Sequence, residues 1–228
     1  MASCGNKVGV PCGTSNSCPD SSGCPGDRCP DFTIKRRDTY PAFKVAVSDC
    51  DGPLDLTDEN LSVSVSIWGN TKLKLEIDDA ETEIAFADNI GFNQLIVGDV
   101  IIMDRVRDAE KMLVESFDEV AFTITVERGY DGTVASGWDK GAKLKFFRAI
   151  DVDATLETVV EDVEQLDGSV LTDQVMESYL VYEWSEEDTS APGCFWLQFK
   201  LTNSDEGWVR RFPESSEGFL IKINDATI

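Results

Sequence analysis

The 228-residue sequence contains no histidine, and it has only 20 Lys and Arg residues against 43 Asp and Glu residues. The lack of histidine excludes Ser-His-Asp and Cys-His catalytic arrangements and His-Glu-x-x-His zinc sites. The net charge of −23 makes the surface repel phosphate backbones and anionic lipid. We therefore expect no nucleic-acid partner.

The sequence also lacks any apolar run of the roughly 18 residues that a membrane-spanning helix needs. Its first residues, MASCGNKVGVPCG, lack the apolar segment that is typical of a secretory signal. These patterns predict no membrane insertion, and assembly in the cytoplasm of the cell that makes the protein. Hydrophobic residues form 42% of the chain, which is typical of a globular protein.

Several catalytic and ligand-binding motifs are absent as well. The chain has no Gly-x-Ser-x-Gly nucleophile motif, no phosphate-binding P-loop and no EF-hand spacing. Two carboxylates suffice for glycoside hydrolysis, so counting acids does not exclude that chemistry. However, the acids of residues 183–188 fall at a predicted strand end and loop, where we expect them to face water. We predict that the protein is not an enzyme and has no cofactor, apart from a structural metal as one alternative below.

The acidic residues are distributed unevenly. Residues 1–40 hold five Lys and Arg and four Asp and Glu, whereas residues 151–190 hold 13 acids and no Lys or Arg. A solvated, soluble surface is the simplest interpretation of such a segment. Calcium binding and docking of a basic partner are the alternatives.

Five of the seven cysteines lie within the first 29 residues, among Gly, Pro, Ser, Asn and Asp. This composition cannot bury a core of its own, so something else must order the segment. No Cys-x-x-Cys pair occurs, which leaves disulfides, a structural metal site and reduced or disordered thiols as alternatives. Because five is odd, one of them could pair with Cys50, Cys194 or another subunit. The five cysteines are Cys4, Cys12, Cys18, Cys24 and Cys29.

From Phe32 onward the pattern is that of β-structure. In residues 61–68, LSVSVSIW, apolar residues alternate strictly with serines, which predicts a strand with one buried face. Turn residues separate further such runs at regular intervals, which favours an all-β sandwich or barrel. Residues 154–166 are the one segment for which we expect a short helix. The predicted strands are 40–47, a short one within 49–57, 61–68, 94–104, 120–129, 178–184, 194–201, 208–213 and 218–224.

Two stretches combine recognisable patterns. Residues 34–68 contain I-K-x-x-D-T-x-P followed by G-P-x-D-L-T, and residues 180–223 contain Y-x-W-x-x-x-D-T-x-x-P-G followed by F-P and a glycine. The matching positions are Ile34, Lys35, Asp38, Thr39, Pro41, Gly52, Pro53, Asp55, Leu56, Thr57, Tyr182, Trp184, Asp188, Thr189, Pro192, Gly193, Phe199, Phe212, Pro213 and Gly218. Together they resemble the N-terminal domain of phage baseplate upper proteins (the BppU type), with departures at Cys194 and Phe195.

The chain between these stretches carries a different pattern. The matching positions are Gly91, Phe92, Gly98, Asp99, Glu110, Met112, Val114, Arg128, Gly129, Tyr130, Gly132, Thr133, Gly141 and Ala142. They resemble a small β-rich module of phage structural proteins, in which Trp138 stands where a histidine is frequent. Independently of the resemblance, RGYDGT predicts a tight turn in which Gly129 and Gly132 adopt positive φ.

The two resemblances imply a domain organisation. Residues 1–31 form a Cys-rich arm, residues 32–73 plus 150–228 form a discontinuous Ig-like, BppU-like β-sandwich, and residues 74–149 form an inserted, small, β-barrel-like module. Insertion at a hairpin tip is tolerated because the flanking strands still pair.

The resemblances also imply a function. We expect a structural protein of a tailed-phage virion: a baseplate or tail-tip adaptor that assembles with copies of itself and other phage structural proteins, or holds fibres. A capsid decoration or head-fibre protein and a host-glycan-binding module are the alternatives. We expect no appended receptor-binding domain after the last predicted strand, which favours an adaptor over a tip. The candidate interface residues are the tryptophans Trp68, Trp138, Trp196 and Trp208, for which a place in the core is the simpler interpretation.

Overall fold

The computed structural model describes residues 29–49, 52–87, 89–103, 109–167, 169–215 and 217–225. Over these residues the chain is almost entirely β-structure, with its sheets in a sandwich-like arrangement, which confirms the predicted fold class. The described strands of residues 74–149 form no closed barrel, although an antiparallel bridge between Leu73 and Phe86 brings the end of the strand Leu61–Lys72 next to the strand that contains Glu83–Ala85.

Thirteen strands, one short α-helix and one turn of 3-10 helix (Tyr130–Gly132) occur in the described residues. In chain order the strands and the α-helix are β1 (Phe32–Lys35), β2 (Phe43–Ala46), β3 (Leu61–Lys72), β4 (Glu83–Ala85), α1 (Asn89–Gln94), β5 (Val100–Met103), β6 (Glu110–Asp118), β7 (Thr123–Glu127), β8 (Lys143–Asp153), β9 (Thr155–Glu164), β10 (Val170–Tyr182), β11 (Gly193–Asn203), β12 (Trp208–Phe212) and β13 (Phe219–Asn224).

One large sheet runs through most of the molecule. Its strand order is β1-β13-β11-β3-β8-β5-β6-β7-β4, and β12 pairs with β11 beside this path. The long neighbours β3 and β8 pair from Ser64 opposite Asp153 to Lys72 opposite Lys143. They therefore connect the strands of the expected sandwich, on one side, with those of residues 74–149 on the other.

A second sheet, in the order β2-β10-β9, packs against one face of the large sheet. The predicted alternation of β3 accounts for this packing: Val63, Val65 and Ile67 are buried in the main core, and the intervening serines lie on the other face. In β11 the residues Phe195, Leu197 and Phe199 do the same, as their spacing predicts. Burial of such side chains is the main source of stability for the sandwich.

The outer face of the large sheet, which lies opposite the second sheet, has a smaller apolar cluster of its own. Trp68, Cys194, Trp196 and Leu220 form it, and the half-buried Phe147 packs against them. The alternation of β11 puts Trp196 on this face, and the ring of Trp68 lies 6.0 Å from that of Phe147. The large sheet is therefore apolar on part of both faces.

The expected helix at 154–166 is wrong, because these residues form β9 and pair with β10 along their length. The segment is rich in valine and threonine, which favour strands, and the long partner strand overrides the weak helical spacing. Conversely, α1 was not predicted from its sequence, NIGFNQ.

Candidate functional site

The acidic corner at residues 183–188 is a structural turn. Asp188 is buried, and its carboxylate accepts hydrogen bonds from the Tyr182 hydroxyl at 2.8 Å and from the Ser185 backbone N–H at 2.7 Å. Thr189 is also buried and donates to the Asp38 carbonyl at 3.0 Å. The expectation that all these acids face water is therefore wrong for Asp188, although Glu186 is exposed as expected. Burial, together with the nearby Asp188 carboxylate, raises the pKa of Tyr182 far above its ordinary value.

A buried ion pair joins the corner to residues 94–99. Arg148 on β8 donates from Nε to Asp99 Oδ1 at 2.7 Å, and both side chains are almost fully buried. The same guanidinium donates to the carbonyls of Gln94, Glu187 and Asp188. Burial raises the pKa of Asp99, and the charge and hydrogen bonds of Arg148 offset only part of that effect. One arginine therefore connects the corner to the middle part of the chain.

A second buried ion pair organises residues 74–149. Arg128 donates from Nε and Nη2 to the two carboxylate oxygens of Glu110, and its remaining donors reach the carbonyls of Asp78, Glu81 and Ser136. All five guanidinium N–H groups are thereby used. Burial raises the pKa of Glu110, but hydrogen bonds from Arg128 and its neighbours outweigh this and leave the pKa below its ordinary value.

Trp138 belongs to this second ion-pair cluster. Its indole Nε1 donates to Glu110 Oε2 at 2.7 Å, and the side chain is buried. The indole N–H of Trp138 therefore donates to the Glu110 carboxylate. It does so from the position at which the phage module that residues 74–149 resemble often has histidine. The RGYDGT turn follows Arg128, and the predicted positive φ is confirmed at Gly129 (66°) and Gly132 (73°).

The other candidate tryptophans lie in two places. Trp68 and Trp196 are buried in the outer-face cluster. Trp208 is half-buried, lies under the guanidinium of Arg210, and donates from Nε1 to Glu206 at 2.6 Å. None of the four offers a fully exposed indole face to a ligand.

The cysteine hypotheses fall mainly on residues that the structure does not describe. Cys4, Cys12, Cys18, Cys24 and Cys50 lie outside the described residues, whereas Cys29 is exposed and Cys194 is disulfide-bonded. In the described part of the chain no three Cys, Asp or Glu side chains are grouped so that they could hold a metal ion. That part also contains no helix long and apolar enough to cross a membrane.

A strip of basic side chains follows the outer face of the large sheet. It borders two adjoining cavities of about 190 Å³ and 650 Å³ that share Lys145. The half-buried side chains of Phe147 and Ile102 supply apolar surface to these cavities, and Lys200 is paired with Asp151 at 2.7 Å. We call the following residues the basic strip: Lys72, Lys143, Lys145, Lys200 and Arg211.

A projecting ribbon lies on the other side of the molecule. The strand β2 pairs with β10 only over Tyr179–Tyr182, so the rest of β10 pairs with β9 alone. We call residues 157–167 and 169–177 of this ribbon the hairpin arm. Most of its residues are exposed on both faces, and the second edge of β9 has no partner strand within the described residues.

The face of the hairpin arm that points away from the core combines apolar and acidic side chains. Val163 lies opposite Leu171, and Val159 opposite Glu177, while Glu161 stands between the two valines. Val159 and Leu171 are 39% and 44% exposed, which is far from a core position. The carboxylate of Glu161 forms no ion pair or hydrogen bond with any described residue.

Two comparisons of the sequence with known proteins give no match. No protein-family model matches the sequence, and no curated protein matches it significantly. The resemblance to phage baseplate upper proteins therefore rests on the motif positions alone.

The sequence prediction missed the two arginine clusters and both exposed surfaces. A signal for the basic strip is present, because Lys72 and Lys74, and again Lys143 and Lys145, alternate with apolar residues as in a strand with one basic face. The hairpin arm could not be predicted once residues 154–166, which contain its first strand, were interpreted as a helix. The absence of Lys and Arg from residues 151–190 is visible in the sequence, but only the strand pairing shows that many of these acids lie on a projecting ribbon.

Proposed function

We propose that this protein is a structural component of a tailed-phage virion, a baseplate or tail-tip adaptor that works by multivalent assembly. The observation that carries the proposal is the single large sheet through β3 and β8, with one buried arginine cluster at the acidic corner and a second within residues 74–149. Such a body transmits load and holds its surfaces at fixed relative positions, which an adaptor requires. The two motif resemblances support the phage context.

The hairpin arm and the basic strip support the assembly part of the proposal. Both are exposed, they lie on opposite sides of the sandwich, and neither is needed to close the core. Exposed apolar surface rimmed by charge is typical of interaction sites in soluble proteins. Assembly through several such contacts makes a stable structure from individually weak interfaces.

The test is to locate the protein on purified particles with gold-labelled antibody and electron microscopy. Gold at the distal tail is the expected result. Gold over the capsid would replace the adaptor with the decoration alternative, and particles without gold beside a labelled control protein would overturn the virion proposal.

The glycan-binding alternative has weaker support. Its strongest feature is the cavity of about 190 Å³ lined by Trp68, Phe147 and basic residues. However, Trp68 is buried and Phe147 only half-exposed, so a flat aromatic platform for a sugar ring is lacking there. Binding of the isolated protein to a glycan array would revive this alternative.

A further inference from the structure

We propose that the hairpin arm of one copy docks on the basic strip of a second copy, so that the chain assembles head to tail. The occupant of each surface is thus another molecule of the same protein. The inference deepens the assembly role proposed above by naming the two surfaces, but it does not depend on a virion location.

The first step of the argument is charge complementarity. The hairpin arm contains no Lys or Arg, and its acids are Glu157, Glu161, Asp162, Glu164, Asp167, Asp173 and Glu177. The basic strip gathers five of the 20 cations of a chain whose net charge is −23. A cluster of cations is unusual on a protein of this net charge, and the acids of the hairpin arm have the opposite charge needed to pair with it.

The second step is apolar complementarity. On the hairpin arm, Val159 and Leu171 expose a large part of their side chains beside Glu161. On the basic strip, Phe147 and Ile102 line the cavities between the lysines. Each surface therefore has an apolar centre bordered by charge of one sign, which is the usual anatomy of an interface.

The third step is geometry. The hairpin arm extends the second sheet, which covers the inner face of the large sheet, whereas the basic strip lies on the outer face. The two surfaces of one chain therefore point to opposite sides and do not meet within a monomer. Contact between two different patches of identical chains is heterologous, and it gives a ring when the rotation closes.

Overall repulsion between two chains of charge −23 opposes the contact but does not prevent it. At physiological ionic strength, charges more than about 8 Å apart are largely screened, so the local pairing at the interface dominates. The contact should be salt-sensitive, since exposed charge pairs weaken as ionic strength rises.

The experiment measures self-association of the purified full-length chain by sedimentation velocity. The native protein should show a mass that rises with concentration between about 1 and 100 μM at an ionic strength of about 0.15 M, where repulsion between the chains is screened, and this range corresponds to a weak contact. Two charge-reversed proteins are compared with it: E161K/E177K on the hairpin arm, where both acids lie on the face that carries Val159, and K143E/K145E on the basic strip. Each should weaken self-association at least about tenfold.

Mixing the two charge-reversed proteins gives the decisive result. The reversed arm of one protein then matches the reversed strip of the other, and the two remaining native surfaces match as well. Association should return in the mixture. The control E76K/E115K makes the same change in net charge as the arm variant, at exposed acids that belong to neither surface, and it should not weaken association.

Three outcomes would overturn the proposal: a native chain that stays monomeric to about 100 μM, a mixture that fails to restore association, or a control that weakens it equally. The variant V159S/L171S removes apolar side chains from the hairpin arm without changing its charge, and it should also weaken association. Urea unfolding verifies that each variant is folded. Failure here leaves the particle-labelling result intact, and failure of that labelling leaves self-association intact.

Discussion

The acidic corner and the hairpin arm are both rich in acidic residues, but the corner contains a buried acid whereas the acids of the arm are exposed. In the corner, Asp188 is buried and accepts two hydrogen bonds, and the carbonyls beside it bind Arg148. On the arm, Glu161 and Glu164 are exposed. The difference teaches that acid content alone does not indicate a role. Acids that the backbone and an arginine surround hold the fold, whereas acids on an isolated ribbon are available to a partner.

The largest expected effect extends the comparison to another buried acid. Glu110→Ala leaves the guanidinium of Arg128 buried without its carboxylate, and removal of one partner of a buried ion pair costs about 3–5 kcal/mol. Urea unfolding should show this loss. Glu115→Ala, an exposed acid on the same strand, should change the free energy of unfolding by less than about 0.5 kcal/mol. Equal effects would remove the distinction between buried and exposed acids.

The corner itself provides the next test. Asp188→Asn removes a charged acceptor from the Tyr182 hydroxyl and the Ser185 N–H, so we expect a loss of about 1–3 kcal/mol in the free energy of unfolding. Glu186→Gln, two residues away and exposed, serves as the control and should be nearly neutral. An unchanged unfolding midpoint for Asp188→Asn would contradict the structural role of the corner.

The pH dependence of Tyr182 sharpens the same point. Burial first, and then Asp188, raises the folded-state pKa of Tyr182. The contribution of the neutral hydroxyl to folding stability is therefore complete below the ordinary pKa of 10.0, and it is lost as pH rises above that value. In an alkaline absorbance titration, Tyr182 should ionise only when the protein unfolds. Tyr182→Phe should abolish that late step.

The acid side of the titration concerns Glu110. Because its folded-state pKa is lowered, the stabilisation it provides is present above its ordinary value of 4.5 and is lost as pH falls through the lower, folded-state pKa. The stability difference between native protein and Glu110→Gln should therefore shrink on acidification. A difference that is constant from neutral to acid pH would contradict the direction of this shift.

The smallest effect is expected on the hairpin arm. Glu161→Gln together with Glu164→Gln should change the free energy of unfolding by no more than about 0.5 kcal/mol, because neither side chain is buried. A loss comparable to that of Asp188→Asn would mean that the arm acids support the fold after all.

The all-β class was predictable because strict alternation, as in β3 and β11, fixes which face of a strand is buried. The RGYDGT turn was predictable because positive φ favours glycine. The two arginine clusters were not, since Arg128 contacts Glu110 and Asp78 over long sequence distances that no local pattern encodes. The hairpin arm was missed because strand formation in residues 155–164 depends on pairing with β10.

The most direct test is hydrogen–deuterium exchange measured by mass spectrometry on the free protein and on the protein within purified particles. We predict slower exchange in the particle for the hairpin arm and for the strands that carry the basic strip, with no change around Asp188. Unchanged exchange in the arm together with slower exchange in the acidic corner would contradict the account.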